Sequence, residues 1–75
     1  MEFNPSLDIR AALLAAASEK IRVDVHLRGA SQLSGLVAGV GDHFVVLSKL
    51  TGKDFSDAMV KLDSIVAVVA QVRKA

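Results

Sequence analysis

The sequence predicts a mainly β domain, in which an N-terminal α-helix precedes a strongly bent, five-stranded antiparallel sheet that forms a small open barrel and assembles into rings. Three observations predict this fold. Two apolar runs flank a Gly-Asp turn within residues 32–47, apolar and polar residues alternate over 21–28, and the last strand, 65–72, is apolar on both faces. We interpret residues 1–75 as a single domain, with the helix over 4–20 and the barrel over 21–72.

The predicted helix begins at Asn4-Pro5, because Asn is a favourable cap and Pro has the backbone angle of a first helical residue. Two adjacent apolar lines follow at helical spacing: Leu7, Ala11 and Leu14, and Ile9, Leu13 and Ala16. We expect this wide apolar face to cover one open end of the sheet, and docking of a partner is the alternative.

The central hairpin carries the predicted bend. Gly35 and Gly39 interrupt its first strand, where a sheet can curve sharply if no side chain is in the way. Alternation returns before the last strand, so that one face carries Ala58, Val60 and Leu62 and the other carries Asp57, Met59 and Lys61. A bent hairpin in so short a chain favours a small barrel.

Assembly is expected from chain length and from the last strand. A chain of 75 residues hides only about 60% of its unfolded surface, and this one has no cysteine for a disulfide. An apolar strand left at a free edge is a template for aggregation, and head-to-tail pairing with an identical copy removes that edge and can close a ring. We expect the subunit interface at Met59, Val60, Val66, Val68 and Ala70.

Composition argues against several classes of partner. Nine Lys and Arg residues balance eight Asp and Glu residues, with the signs interleaved, so no basic tract indicates nucleic acid. No apolar run approaches the roughly 20 residues that cross a bilayer, and no secretory signal is recognised at the N-terminus. We therefore expect a cytoplasmic protein with no membrane partner.

Motifs for catalysis are not found either. The histidines, His26 and His43, lie on different predicted strands, neither is beside a nucleophile at motif spacing, and the serines lack a nucleophile elbow. The glycines match neither a Walker loop nor a dinucleotide fingerprint, and the aspartates lack calcium-loop spacing. The prediction is a protein that is not an enzyme and has no cofactor or metal.

The chain resembles the Sm-like (LSm) family, including the bacterial Hfq proteins. Residues 26–35, HLRGASQLSG, are similar to the Hfq segment YLVNGIKLQG. Residues 35–47, GLVAGVGDHFVVL, follow the spacing of the Sm first motif, and residues 61–68, KLDSIVAV, resemble the Hfq second motif YKHAISTV. The resemblance covers residues 4–72 and implies a ring of about five to seven copies that binds single-stranded RNA on a ring face or at its pore.

The resemblance also implies where RNA would bind. The Asp and Asn of the Sm first motif fall on Gly41 and Val45, with Asp42 and His43 as possible substitutes, and the Lys-His pair of the Hfq second motif falls on Leu62 and Asp63. On the opposite face, the adenine-stacking tyrosine falls on His26. The expected RNA-binding residues are His26, Gln32, Ser34, Asp42, His43, Asp63 and Ser64.

Two functions follow from these patterns. One is an RNA-binding homo-oligomeric ring, which stacks bases on side chains such as His26. The other is a ring of the same fold with little RNA affinity, which acts as a structural or protein-interaction module. The loss of the family's basic second motif favours the second function, and the family resemblance favours the first.

Overall fold

A computed structural model describes residues 3–52 and 55–71 of the chain. Its elements are α1 (Ile9–Ser18), β1 (Arg22–Leu27), β2 (Gln32–Val40), β3 (Phe44–Ser48), β4 (Ala58–Lys61) and β5 (Ile65–Ala70), with a 3₁₀ turn over Leu62–Ser64. The five strands form one antiparallel sheet in the order β4-β3-β2-β1-β5, which leaves β4 and β5 at its two edges. The predicted combination of an N-terminal helix and a five-stranded, open antiparallel sheet is confirmed. Of the predicted last strand, Val72 lies outside the described residues.

Helix α1 begins at Ile9 rather than at Asn4-Pro5, because Asp8 caps it. The Asp8 carboxylate accepts a hydrogen bond from the Ala11 N–H at 2.7 Å, which satisfies a donor of the first helical turn. Asn4 instead closes a separate turn, in which its backbone carbonyl accepts from the Leu7 N–H at 3.0 Å. The predicted start at Asn4-Pro5 is therefore wrong.

The helix ends at Ser18 in a Schellman motif rather than at Lys20. The Ile21 N–H donates to the Ala16 carbonyl and the Lys20 N–H to the Ala17 carbonyl, at 3.0 and 3.2 Å. Lys20 adopts φ 55°, a conformation that usually selects glycine. The chain reverses there and enters β1 after Ile21.

Only one of the two predicted apolar lines of the helix is packed closely against the sheet. Leu13 and Ala16 are fully buried and belong to the main core, with Ile9 packed against it. On the other line, Leu14 is 42% exposed. The helix therefore covers the sheet as expected, but with a narrower apolar face.

The core lies between α1 and the inward face of the sheet. Its largest fully buried side chains are Leu13, Val23, Val25, Val45 and Leu47. Val23 and Val25 alternate with more exposed residues along β1, as the sequence predicts. Among the described residues no polar or charged side chain is buried, so the side chains of the core interact by apolar packing.

The bend of β2 depends on Gly35 and on a β-bulge. A Cβ added to Gly35 would lie 2.6 Å from the Ser48 carbonyl oxygen, so only glycine lets the end of β3 pass this closely. A Cβ on Gly39 would meet no atom within 4 Å. The pairing with β3 slips by one residue at Ala38, which is the extra residue of the bulge. The predicted steric role therefore holds for Gly35 but not for Gly39.

Candidate functional site

The predicted site residues fall into two groups. One lies on the outer face, which is the face of the sheet turned away from the core, and the other lies where the β2–β3 turn meets the 3₁₀ turn. On β1 and β2, the outer face carries cross-strand pairs in which His26 is opposite Gln32 and Asp24 is opposite Ser34. The structure thus brings His26, Gln32 and Ser34 together, as the resemblance implies.

His26 and Gln32 are available to a ligand. Directly opposite residues of an antiparallel pair project from the same face, with Cβ atoms about 5 Å apart. His26 is partly exposed and Gln32 is exposed. Neither side chain makes a hydrogen bond within the described part of the chain. Together they present a flat ring that can stack and an amide that can both donate and accept hydrogen bonds.

The Ser34 hydroxyl, by contrast, already makes a hydrogen bond within the protein. Its hydroxyl donates to a carboxylate oxygen of Asp24, which is two residues before His26 on β1. Asp24 was not among the expected site residues, although the alternation of β1 places it on the same face as His26. This carboxylate gives the centre of the outer face a negative charge, which opposes the approach of a phosphate.

Arg22, a cation on the same strand as Asp24 and His26, is hydrogen-bonded within the protein itself. Arg22 crosses from β1 to the segment after β3, where its Nη2 donates to the Lys49 carbonyl at 2.8 Å and to Thr51 Oγ1 at 2.9 Å. Arg22 was not predicted as a site residue either. Its hydrogen bonds attach this segment to β1, so its guanidinium is not free to neutralise a phosphate without breaking them.

The second group is brought together by backbone hydrogen bonds. The Leu62 N–H donates to the His43 carbonyl at 2.9 Å, which places the β2–β3 turn beside the 3₁₀ turn that contains Asp63 and Ser64. At the other side of this group, the Arg28 N–H donates to the Ser64 carbonyl at 3.1 Å. The turn that contains Asp42 and His43 therefore lies beside the turn that contains Asp63 and Ser64.

This second group is acidic. The carboxylate of Asp42 is 88% exposed and lies 3.9 Å from Nη2 of Arg10, a distance typical of a weak surface ion pair. Arg10 is fixed mainly by a hydrogen bond of 2.9 Å from its Nε to the Gly41 carbonyl. Val45, on which the resemblance places the asparagine of the Sm first motif, is fully buried in the core. Two exposed carboxylates and a buried valine are a poor match to a site that reads a uracil.

The predicted interface residues have unequal exposure. Met59 and Val66 are 70% and 61% exposed, and both lie on edge strands. Val60 is only 6% exposed and is a core residue, while Val68 and Ala70 are half-buried against the core. The alternation of β4 turns the Val60 side chain inward, and the place of Val60 in the interface stays a prediction. Val69, which was not predicted, is 51% exposed on β5.

Neither a protein-family model nor a curated protein matches the chain. In the described residues there is no group of three or more His, Cys, Asp or Glu side chains that could hold a metal ion. No helix within 3–52 and 55–71 is long and apolar enough to cross a membrane.

Proposed function

We propose that the chain is a self-assembly module, in which identical copies join head to tail through the edge strands β4 and β5 to form an Sm-like ring. The observation that carries this proposal is the exposure of apolar side chains on both open edges of one sheet: Met59 on β4 and Val66 and Val69 on β5. The observed helix and five-stranded sheet are consistent with an Sm-like fold.

Both halves of the contact are present on one chain. Strands β4 and β5 each pair with a single neighbour inside the sheet, so each presents an unpaired row of backbone N–H and C=O groups. Two different edges that join each other make a heterologous contact, which repeats from copy to copy and closes into a ring when the rotation allows. Full burial of an exposed valine or methionine contributes on the order of 1–3 kcal/mol, so three such residues per contact would add appreciable stability.

The proposal is tested by native mass spectrometry of the purified chain and of two charge variants. Met59→Lys and Val69→Lys place a charge on an edge side chain that is exposed in the single copy, so the fold is retained while assembly is weakened at least about tenfold. Leu14→Lys is the matched control, because Leu14 is exposed on the helix rather than on an edge strand. A wild-type chain that stays a single copy at millimolar concentration overturns the proposal, as does equal loss of assembly in the control.

RNA binding on the outer face is a second candidate function, supported by the cross-strand pair His26 and Gln32, whose side chains make no hydrogen bond within residues 3–52 and 55–71. Asp24 repels a phosphate, and the Arg22 guanidinium is already hydrogen-bonded to the segment after β3. Affinity would therefore come from stacking of a base on His26 and from hydrogen bonds between Gln32 and a base edge. Such binding is weak and depends only moderately on salt. It can occur on an assembled ring, so the two functions are compatible.

Fluorescence anisotropy with an A-rich and a U-rich oligonucleotide tests this second function. We expect binding at tens of micromolar protein, on the order expected for a weak site, and a loss of about fivefold or more in His26→Ala. Asp24→Asn should raise the affinity, because it removes the repelling charge but keeps an acceptor for Ser34. Absence of binding to both oligonucleotides in low-salt buffer removes the RNA candidate and leaves the assembly proposal intact.

A further inference from the structure

The two edges of the sheet have a fixed relation that decides which side chains meet in an assembly. All four junctions in the order β4-β3-β2-β1-β5 are antiparallel. Four reversals of direction bring the chain back to its starting direction, so β4 and β5 run the same way at opposite edges. This follows from the odd number of strands.

The added junction between copies is expected to be antiparallel as well. Antiparallel ladders are slightly more stable per residue, and parallel strands occur mostly in sheets that are covered on both faces. Because β4 and β5 run the same way within one copy, an antiparallel join reverses the direction of the next copy's strands relative to the local sheet. The two faces of the sheet are therefore exchanged at the junction, and the twist that a sheet accumulates over five strands supplies much of this turn, so that successive copies can still close into a ring.

The exchange of faces places outward residues of β4 beside inward residues of the next copy's β5. Met59 is an outward residue, since it is opposite Val46, whereas the neighbouring pair Val45 and Val60 is buried. Val68 is an inward residue of β5, opposite the fully buried Val25. Met59 therefore lies on the same side of the shared sheet as Val68 of the next copy, and on the opposite side from its Val69.

On the inward side of β5 there is a groove with room for a methionine. It has a volume of about 400 Å³ and is lined by Val68, by the start of α1 and by the segment before it, with Phe3, Leu7, Ile9 and Ala12 as its apolar residues. Methionine is unbranched and flexible, so it fills irregular apolar spaces well. Met59 is also the most exposed apolar side chain on either edge strand.

We propose that Met59 of each copy inserts into this groove on the next copy, between β5 and the start of the helix. The inference rests on the proposed assembly through β4 and β5 and adds its register and its main side-chain contact. It also gives the start of α1 a role in recognising a second copy of this chain. By the same exchange of faces, Val69 of the next copy, an outward residue, lies on the same side of the shared sheet as the inward residues Ala58 and Val60 of the first copy.

Disulfide crosslinking tests the inference directly, because the chain contains no cysteine. A Met59→Cys variant is mixed with Val68→Cys or Ala70→Cys in one set, and with Ala67→Cys or Val69→Cys in the other, and the mixtures are oxidised. A disulfide needs Cβ atoms about 4 Å apart, so the inward positions 68 and 70 should yield at least about fivefold more mixed dimer than the outward positions 67 and 69. Equal yields, more dimer at the outward positions, or no dimer with any of the four overturn the inference.

Native mass spectrometry of the same reduced mixtures separates the two claims. If the variants assemble but crosslink through position 67 or 69, the assembly stands and the Met59 contact is wrong. If neither the variants nor the wild type assembles, the proposed self-assembly is wrong, and the Met59 contact that depends on it is wrong as well. Peroxide oxidation is an independent readout, since Met59 should form its sulfoxide at least about fivefold more slowly in the assembly than in diluted single copies. An unchanged oxidation rate in a confirmed assembly also overturns the inference.

Discussion

The central strands and the edge strands of this sheet present different chemistry to solvent. The outer face of β1 and β2 carries Asp24, His26, Gln32 and Ser34, which are polar or charged, and their alternation with buried residues is regular. Each edge strand instead exposes apolar side chains, with Met59 on β4 and Val69 on β5. The difference indicates that the central face is suited to water or a polar ligand, whereas the edges are suited to protein contact.

The largest expected change in stability concerns Gly35, which allows the close approach of β2 and the end of β3 in the centre of the sheet. Gly35→Ala should lower the free energy of unfolding by about 2–4 kcal/mol, because its Cβ would lie 2.6 Å from a backbone oxygen that cannot move alone. Gly39→Ala is the matched control and should change stability by less than about 1 kcal/mol, since a Cβ there meets open space. Urea denaturation monitored by circular dichroism measures both. A similar loss in both variants would mean that the two halves of β2 are equally constrained.

A second pair of variants separates core burial from edge burial. Val25→Ala should lower the stability by about 2 kcal/mol at every protein concentration, because Val25 is fully buried within one copy. Val69→Ala removes an exposed side chain, so its loss should appear only at concentrations at which the copies assemble. Denaturation curves over a hundredfold range of protein concentration compare the two. A Val69→Ala loss that does not depend on concentration would place Val69 outside any contact between copies.

The smallest expected effect concerns the turn between β1 and β2. Ala30 has φ 67°, which costs an alanine about 1 kcal/mol relative to glycine. Ala30→Gly should therefore raise the free energy of unfolding by about 0.5–1 kcal/mol without changing assembly. Thermal unfolding together with native mass spectrometry checks both statements. A destabilised variant would show that the strain at Ala30 is compensated by contacts of its methyl group.

Much of the sheet could be predicted from the sequence, because alternation with a period of two reports directly which residues face the core. Val23 and Val25 follow that rule, and so does Val60, whose burial the pattern of β4 already implied. The ends of α1 were harder to predict. Asn4 and Asp8 are both good caps, and only the folded chain decides between them, while Lys20 occupies a position where glycine is the usual signal.

The candidate site was predicted in part for a similar reason. The resemblance implied that Gln32 and Ser34 lie near His26, but the cross-strand pairing of His26 with Gln32 follows only from the hairpin register, which the fold supplies. The engagement of Ser34 by Asp24 and the long reach of Arg22 depend on side-chain geometry across strands, which no spacing in the sequence reports. The groove beside β5 is lined by residues from both ends of the chain, at the start of α1 and on β5, so the sequence alone could not predict it.

Strand β5 contains a β-bulge, because its pairing with β1 shifts by one residue between His26 and Leu27. Its extra residue is Val66, so the regular part of this strand is limited to Ala67–Ala70, and β4 is no longer than that. An edge strand pairs most readily with another chain when it is long, flat and regular. Here only four residues beside a bulge present a regular row of backbone hydrogen-bonding groups. Each apolar edge therefore offers a partner strand a regular register of only four residues, which favours a short contact between copies over an extended ladder.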